Sequence, residues 1–400
     1  MSLFPTYLRH DVEFVEGRGA ELIDENGKRY LDFGSGIGVT NLGHCHPRVT
    51  QAVIEQAQKL WHTSNLFSIP LQEEVSQLLC EQSGMGAVFF CNSGAEANEA
   101  AIKLARKWAK ESKIILEPEI LTFEKSFHGR TLATLTATGQ NKVKKGFDPL
   151  PGGFRILPCQ DIGVVKKATG STTAAVLLEL VQGEGGVKPA DIEFVQQLAA
   201  WCKQKNILLI IDEVQTGIGR TGDWFAFQAY KIRPDVVTLA KGLGNGFPVG
   251  AMMAREKLKP ILGPGSHGTT FGGNPLAMAA AKAVLQELKE TTVLGEAKEK
   301  GEYLFQLLSD ELADIPEIKE IRCLGLMAGI QLHVPVAPVI GKLLKQGMIA
   351  LPAGENVLRL LPPLVVTKEQ IKQAVSMIKQ VFSATEAAGN GLELLQAVER

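Results

Sequence analysis

The sequence predicts an α/β fold: a large domain with a mainly parallel sheet flanked by helices, plus a smaller α+β domain made from the two ends of the chain. Three observations predict it. The middle of the chain alternates short, almost wholly apolar runs with helix-length amphipathic stretches, the pattern of strands buried on both faces. The residues able to do chemistry fall just after those runs, where ligands of such sheets bind. At 400 residues, 45% hydrophobic and 21% charged, the chain can bury one large core and still supply a second unit.

The elements follow in order. Residues 1–60 hold short mixed segments and the turn Gly34-Ser35-Gly36-Ile37-Gly38. Residues 61–294 form the large domain, with strands expected over Ala87–Cys91, Ile120–Phe123, Ala174–Leu180, Ile207–Ile211 and Val236–Leu239. Between them, Glu96–Lys110 and Ile192–Gln204 carry helical periodicity. Residues 295–400 return to mixed elements and join 1–60 in the smaller domain. The end, Ser383–Arg400, reads as a surface helix or tail broken at Gly389-Asn390-Gly391. No internal repeat or low-complexity linker is present.

Composition narrows the function classes. A net charge of −1 provides no basic field for nucleic acid. No apolar run reaches the length of a membrane span. The opening MSLFPTYLRHDVEFVEG has neither a signal peptide's layout nor a transit peptide's composition, so a cytoplasmic protein is expected. Its cysteines, Cys45, Cys80, Cys91, Cys159, Cys202 and Cys323, are scattered without a C-x-x-C, as reduced thiols are. Gly43-His44-Cys45-His46-Pro47 packs three ligand types too closely to close a tetrahedron and reads as a turn before a helix, so no metal is assigned.

Gly217-Ile218-Gly219-Arg220-Thr221-Gly222 spells G-x-G-x-x-G. A dinucleotide turn needs its first glycine directly after a strand and a helix opening at the third. Here Asp-Glu-Val-Gln-Thr intervenes and Asp223-Trp224-Phe225 follows, so the nucleotide reading is rejected. The acids before the glycines remain. Asp212 ends one apolar run, and Lys241 ends the next, before the loop Gly242–Pro248. Each alone fits a structural ion pair or a solvated charge. Together, on neighbouring strand ends, an acid and an amine match the needs of pyridoxal phosphate: a lysine to condense with its aldehyde and a carboxylate to keep its ring nitrogen protonated.

At these residues the sequence resembles the class III, fold type I, pyridoxal-phosphate aminotransferases, from about Asp24 to Pro363. The blocks GHCHP, SNLF, NSGAEANEAAIKLAR, FHGRT, QGEGGV, IIDEVQTGIGRTG, KGLGNGFP, TFGGNPLA and RLLPPL carry the resemblance by occurring together in this order. It implies that Lys241 and Asp212 are catalytic. It also implies that Gly94, Ala95, Phe127, Val214, Gln215 and Thr270 contact the cofactor. Gly94 and Ala95 sit at a helix start suited to a phosphate, although a plain turn capped by Ser93 fits the same residues. Phe127 would stack on the ring, with His128 as a shaping residue. Thr269 and Thr270 would reach across a homodimer with shared active sites, Thr269 to substrate and Thr270 to the partner's cofactor phosphate.

Arg130, Glu184, Thr269 and Arg359 are the implied substrate contacts. Within the class, the resemblance is to the branch that moves the δ-amine of N2-acetylornithine to 2-oxoglutarate in arginine biosynthesis. One donor presents a carboxylate beside the reacting carbon and the other does not. The resemblance implies that Glu184 shields Arg359 in one half-reaction and releases it in the other, while a static ion pair is the simpler reading of the same two residues. Ser68, where some ornithine-specific relatives carry tyrosine, points away from free ornithine. Ornithine, succinylornithine, N-succinyldiaminopimelate and 4-aminobutyrate remain rival donors. An aminomutase would keep the same lysine, and a non-catalytic regulator could keep the cofactor without the reaction.

Overall fold

The computed structural model describes residues 2–158 and 161–387. Its centre is a seven-stranded sheet in the order Ala87–Cys91, Gly250–Ala254, Val236–Leu239, Leu208–Asp212, Thr173–Leu178, Glu119–Phe123, Phe154–Leu157. Gly250–Ala254 pairs antiparallel with both of its neighbours, and the other pairings are parallel.

Side-chain alternation explains why these strands read as continuous apolar runs. Leu208 and Ile210 face one side, packing with Ala100, Ala101, Leu104 and Ala105 of the helix Gly94–Lys113. Leu209 and Ile211 face the other, packing with Phe194, Val195, Leu198 and Cys202 of the helix Ile192–Lys205. The alanine-rich face of Gly94–Lys113 lets that helix lie close to the sheet. Its start is fixed by Ser93, whose Oγ accepts from the Glu96 amide at 3.2 Å, while the Glu96 carboxylate accepts from the Asn92 amide at 2.6 Å.

The two ends of the chain build smaller sheets. Phe14–Arg18, Glu21–Asp24 and Arg29–Asp32 form an antiparallel set, joined in parallel by Met348–Ile349 from the far end of the sequence. Ile318–Leu324, Met327–Leu332, Val357–Leu360 and Leu351–Pro352 form another. Gly43–Pro47 leads into the helix Pro47–Ala57, and the His44 ring is engaged by Asp32 at 2.7 Å. The helix Lys368–Ala387 covers the start of the expected terminal segment; residues 388–400, with the Gly-Asn-Gly break, lie outside the described residues.

Several element boundaries shift by one to three residues from the sequence reading, and two of these shifts bear on the site. The strand expected over Ala174–Leu180 ends at Leu178, because Glu179 turns to the Phe127 amide and Leu180 bonds Ala190 and Tyr230. The chain then enters the small hairpin Val181–Gln182 with Lys188–Pro189. The next strand extends through Asp212, so this carboxylate belongs to the ladder, opposite Thr238.

Candidate active site

Beyond the strand ends lies a cavity of about 260 Å³, lined by Gly94, Ala95, Asn98, Phe127, His128, Gly129, Arg130, Glu179, Asp212, Val214, Gln215 and Lys241. Alternation along the sheet sets its floor. Asp212 and Thr238 point to the face that carries the helix Gly94–Lys113, and Asn98 of that helix meets both. Asn98 donates to Asp212 Oδ2 at 2.8 Å and accepts from the Thr238 hydroxyl at 2.7 Å. His128 Nδ1 lies 2.8 Å from the same Oδ2, and the Val214 amide donates to Oδ1 at 3.0 Å. Asp212 is thus a buried carboxylate stabilised by converging hydrogen-bond donors.

Lys241 follows Val236–Leu239 with a left-handed backbone, φ 46°. Burial pushes its amine down to about 8, and Arg359 adds to the effect, while Glu184, Asp212 and Glu179 oppose it. Gly94 packs so closely on Val214 that a Cβ there would fall 2.6 Å from a Val214 methyl carbon. The first intrahelical bond of Gly94–Lys113 is donated by Ala97 to Ser93 at 3.1 Å, so the Gly94 and Ala95 amides precede it at the cavity wall. Arg130 sits at the exposed rim, its guanidinium 5.6 Å from the Phe127 ring centre.

Other expected residues lie outside this lining. Arg359 is buried on the strand Val357–Leu360 and donates to Glu184 at 2.7 Å and to Gln215 at 3.2 Å, which ties the pair to the cavity wall. Thr269 and Thr270 are on a loop that does not contribute to the lining. Thr269 is anchored by Asn92 and Asn65, and Thr270 is exposed.

Sequence reasoning missed Asn98, Glu179 and Thr238. Asn98 looks like one more residue of a helix face. Its signal is its position one turn after the helix start, on the side facing Asp212.

The glycine segment has a structural use. Arg220, fully buried, donates to Asn41 Oδ1 at 2.8 Å, to the Leu326 carbonyl at 3.0 Å and to the Pro362 carbonyl. It thereby ties the N-terminal segment, the sheet loop and the C-terminal segment together. Gly219, at φ 84°, lets the loop approach Leu364.

The cavity suits a flat ring bearing an anionic group: a helix start at one wall, an aromatic residue and a valine among the lining, a buried carboxylate in the floor and a depressed amine beside it. Residues 6–382 match the family model for class III aminotransferases, and the chain belongs to that family. It is therefore a pyridoxal-phosphate-dependent aminotransferase, of fold type I. The chain is 56% identical to an acetylornithine aminotransferase of Bacillus anthracis, over 95% of this chain and 97% of that one. The crystal structure of ornithine aminotransferase from Toxoplasma gondii superposes with a TM-score of 0.94 at 35% identity, over 97% of this chain and 94% of the other. That of N-acetylornithine aminotransferase from Stenotrophomonas maltophilia gives 0.84 at 36%, over 95% and 98%.

Proposed function

We propose that this enzyme transfers the δ-amino group of N2-acetyl-L-ornithine to 2-oxoglutarate, giving N-acetyl-L-glutamate 5-semialdehyde and L-glutamate, a step of arginine biosynthesis. The observation that carries the reading is the 56% identity, spanning nearly all of both chains, to a relative of that name. The cavity supports it with the acid, the amine and the helix start that the chemistry uses.

When bound, pyridoxal phosphate supplies an electrophilic aldehyde and a ring that withdraws the electron pair left when a proton departs the substrate. The Gly94 and Ala95 amides hold the phosphate at the helix start. Phe127 and Val214 would hold the ring, Gln215 would serve its hydroxyl, and Asp212 would hold a proton on its nitrogen. Lys241 would be the residue that holds the cofactor aldehyde, and its amine, when free, would serve as the base that moves the substrate proton. Its depressed amine suits that role, because it is partly neutral near physiological pH. Arg130 grips a carboxylate of each substrate through its planar fork. Glu184 covers Arg359 while acetylornithine is bound and releases it for the α-carboxylate of glutamate.

The active enzyme is a homodimer in this reading, with Thr269 and Thr270 completing the partner's site. The loop that carries them supports this. Asn65 bonds the Thr269 carbonyl, and the adjacent Trp61, Leu66, Phe67 and Phe271 are all more than half exposed. Such an apolar patch fits a surface covered by a second copy. A cytoplasmic location is supported by the free thiols of Cys45, Cys80, Cys91, Cys202 and Cys323.

A second donor, ornithine, is favoured by the 0.94 superposition on ornithine aminotransferase. Steady-state rates with acetylornithine, ornithine, succinylornithine, N-succinyldiaminopimelate and 4-aminobutyrate decide between them. The expected result is the highest kcat/KM for acetylornithine; a higher value for another amine reassigns the substrate.

A further inference from the structure

The parallel register pairs Ile211 with Leu178, so Asp212 and Glu179 each directly follow one member of the last paired position of two neighbouring strands. Both line the cavity, at 4% and 7% exposure. Two carboxyls sharing one dry cavity do not both ionise readily, and the distribution of donors decides which one does. Asp212 accepts from Asn98, His128 and Val214. Glu179 accepts the Phe127 amide on Oε2 at 3.0 Å, its one hydrogen bond among the described residues.

We propose that Glu179 is the neutral member of a carboxyl pair with Asp212: a positioning residue that carries a proton in the resting protein, anchors the Phe127 backbone, and confines the pair's negative charge to Asp212. The inference rests on the reading of Asp212 as the ionised partner of the cofactor ring. The groups facing Glu179 favour the same assignment on balance. Burial and the charge of Asp212 hold its carboxyl well above the usual carboxylate range, Glu184 adds to that, and the Phe127 amide and Lys241 oppose it. A neutral Glu179 also spares the anionic substrates a second negative charge in the cavity floor. Its proton resides on Oε1, the oxygen left free by Phe127.

The test uses infrared difference spectroscopy of the cofactor-free full-length protein near neutral pH, wild type minus Glu179→Gln. Contributions from other protonated carboxyls, such as Glu213, cancel in the difference. The expected result is a protonated-carboxyl C=O stretch present in wild type and lost in the variant. A difference showing only ionised-carboxylate bands overturns the proposal. Should the variant fail to fold, carbon-13 NMR of wild type labelled at glutamate carboxyls reads the same state. A resonance at the protonated position near neutrality, additional to that of Glu213, is expected, and its absence refutes the proposal.

In the loaded enzyme, Glu179→Gln, which keeps neutrality and an acceptor for Phe127, should exceed Glu179→Ala in kcat by about tenfold or more. Equal losses in both variants count against it. The substrate assignment can fail, with another amine proving better, without altering the infrared result.

Discussion

The depressed Lys241 amine has a consequence that can be measured without any substrate. A lysine attacks an aldehyde only as the neutral amine, so capture of pyridoxal phosphate by the cofactor-free protein depends on the neutral fraction of Lys241. Lowering that group from the ordinary 10.5 to about 8 sets the midpoint of capture there. At pH 7 it raises the neutral fraction from about one in three thousand to about one in ten, roughly 300-fold. Burial is the larger cause and the Arg359 charge the second, so Arg359→Leu removes only the second. It also leaves Glu184 unpaired, and that charge favours the protonated amine, in the same direction. The midpoint should rise by roughly one pH unit and capture at pH 7 slow about tenfold, while Arg359→Lys, which keeps the charge, should restore most of the rate. Stopped-flow mixing followed through the visible band of the bound cofactor, from about pH 6 to about pH 10, reads this directly. A wild-type midpoint near that of free lysine, or one that ignores Arg359→Leu, would refute the reasoning.

Other outcomes follow from the same geometry. Glu184→Gln leaves Arg359 uncovered, so the acetylornithine half-reaction should slow by about 10–100-fold while the glutamate half-reaction holds within about threefold; equal effects on both mark a static ion pair. Arg220→Met leaves Asn41 Oδ1 and the Leu326 and Pro362 carbonyls facing an apolar chain, and should cost about 3–5 kcal/mol in urea unfolding. A loss under about 1 kcal/mol would show that the joint is redundant. Burial raises Glu213 to about 7 despite hydrogen bonds from Ala226, Phe227 and Thr216. The folded protein therefore binds this proton more tightly than the unfolded chain. The associated stability is complete below the unfolded value of 4.5 and is lost as pH rises through about 7, by about 3 kcal/mol in total. Thermal unfolding across that window should decline less steeply for Glu213→Gln than for wild type; identical slopes would contradict the assignment.

The sheet is legible in the sequence because strands covered on both faces leave an unmistakable apolar run, and the strand-end rule then points to Asp212 and Lys241. Gly94, Ala95, Phe127, Arg130, Val214 and Gln215 line the same cavity as that pair, and the family's motif order singles them out. What stays hidden depends on parity and depth. Asn98 and Thr238 matter because a two-residue alternation and a helix turn aim them at Asp212, which no local composition signals. Glu179 falls inside the expected strand Ala174–Leu180, and only the fold brings it into the same cavity as Asp212. Arg220 looks like a loop charge within a glycine motif, and its burial arises from segments more than a hundred residues away on either side. Thr269 fastens its own loop within one chain by accepting from Asn92 and Gly272, and the role proposed for it and Thr270 toward a second copy comes from the family's motif order.

The most direct test of the central claim is a single mixing experiment. Purified protein loaded with pyridoxal phosphate is mixed with N2-acetylornithine in the absence of any oxo acid, and the visible spectrum is followed. The expected change is loss of the bound aldehyde form and growth of the amine form of the cofactor, reversed when 2-oxoglutarate is added. A spectrum that ignores acetylornithine but responds to ornithine or 4-aminobutyrate would contradict the substrate, and one that responds to no amine would contradict the catalytic reading itself.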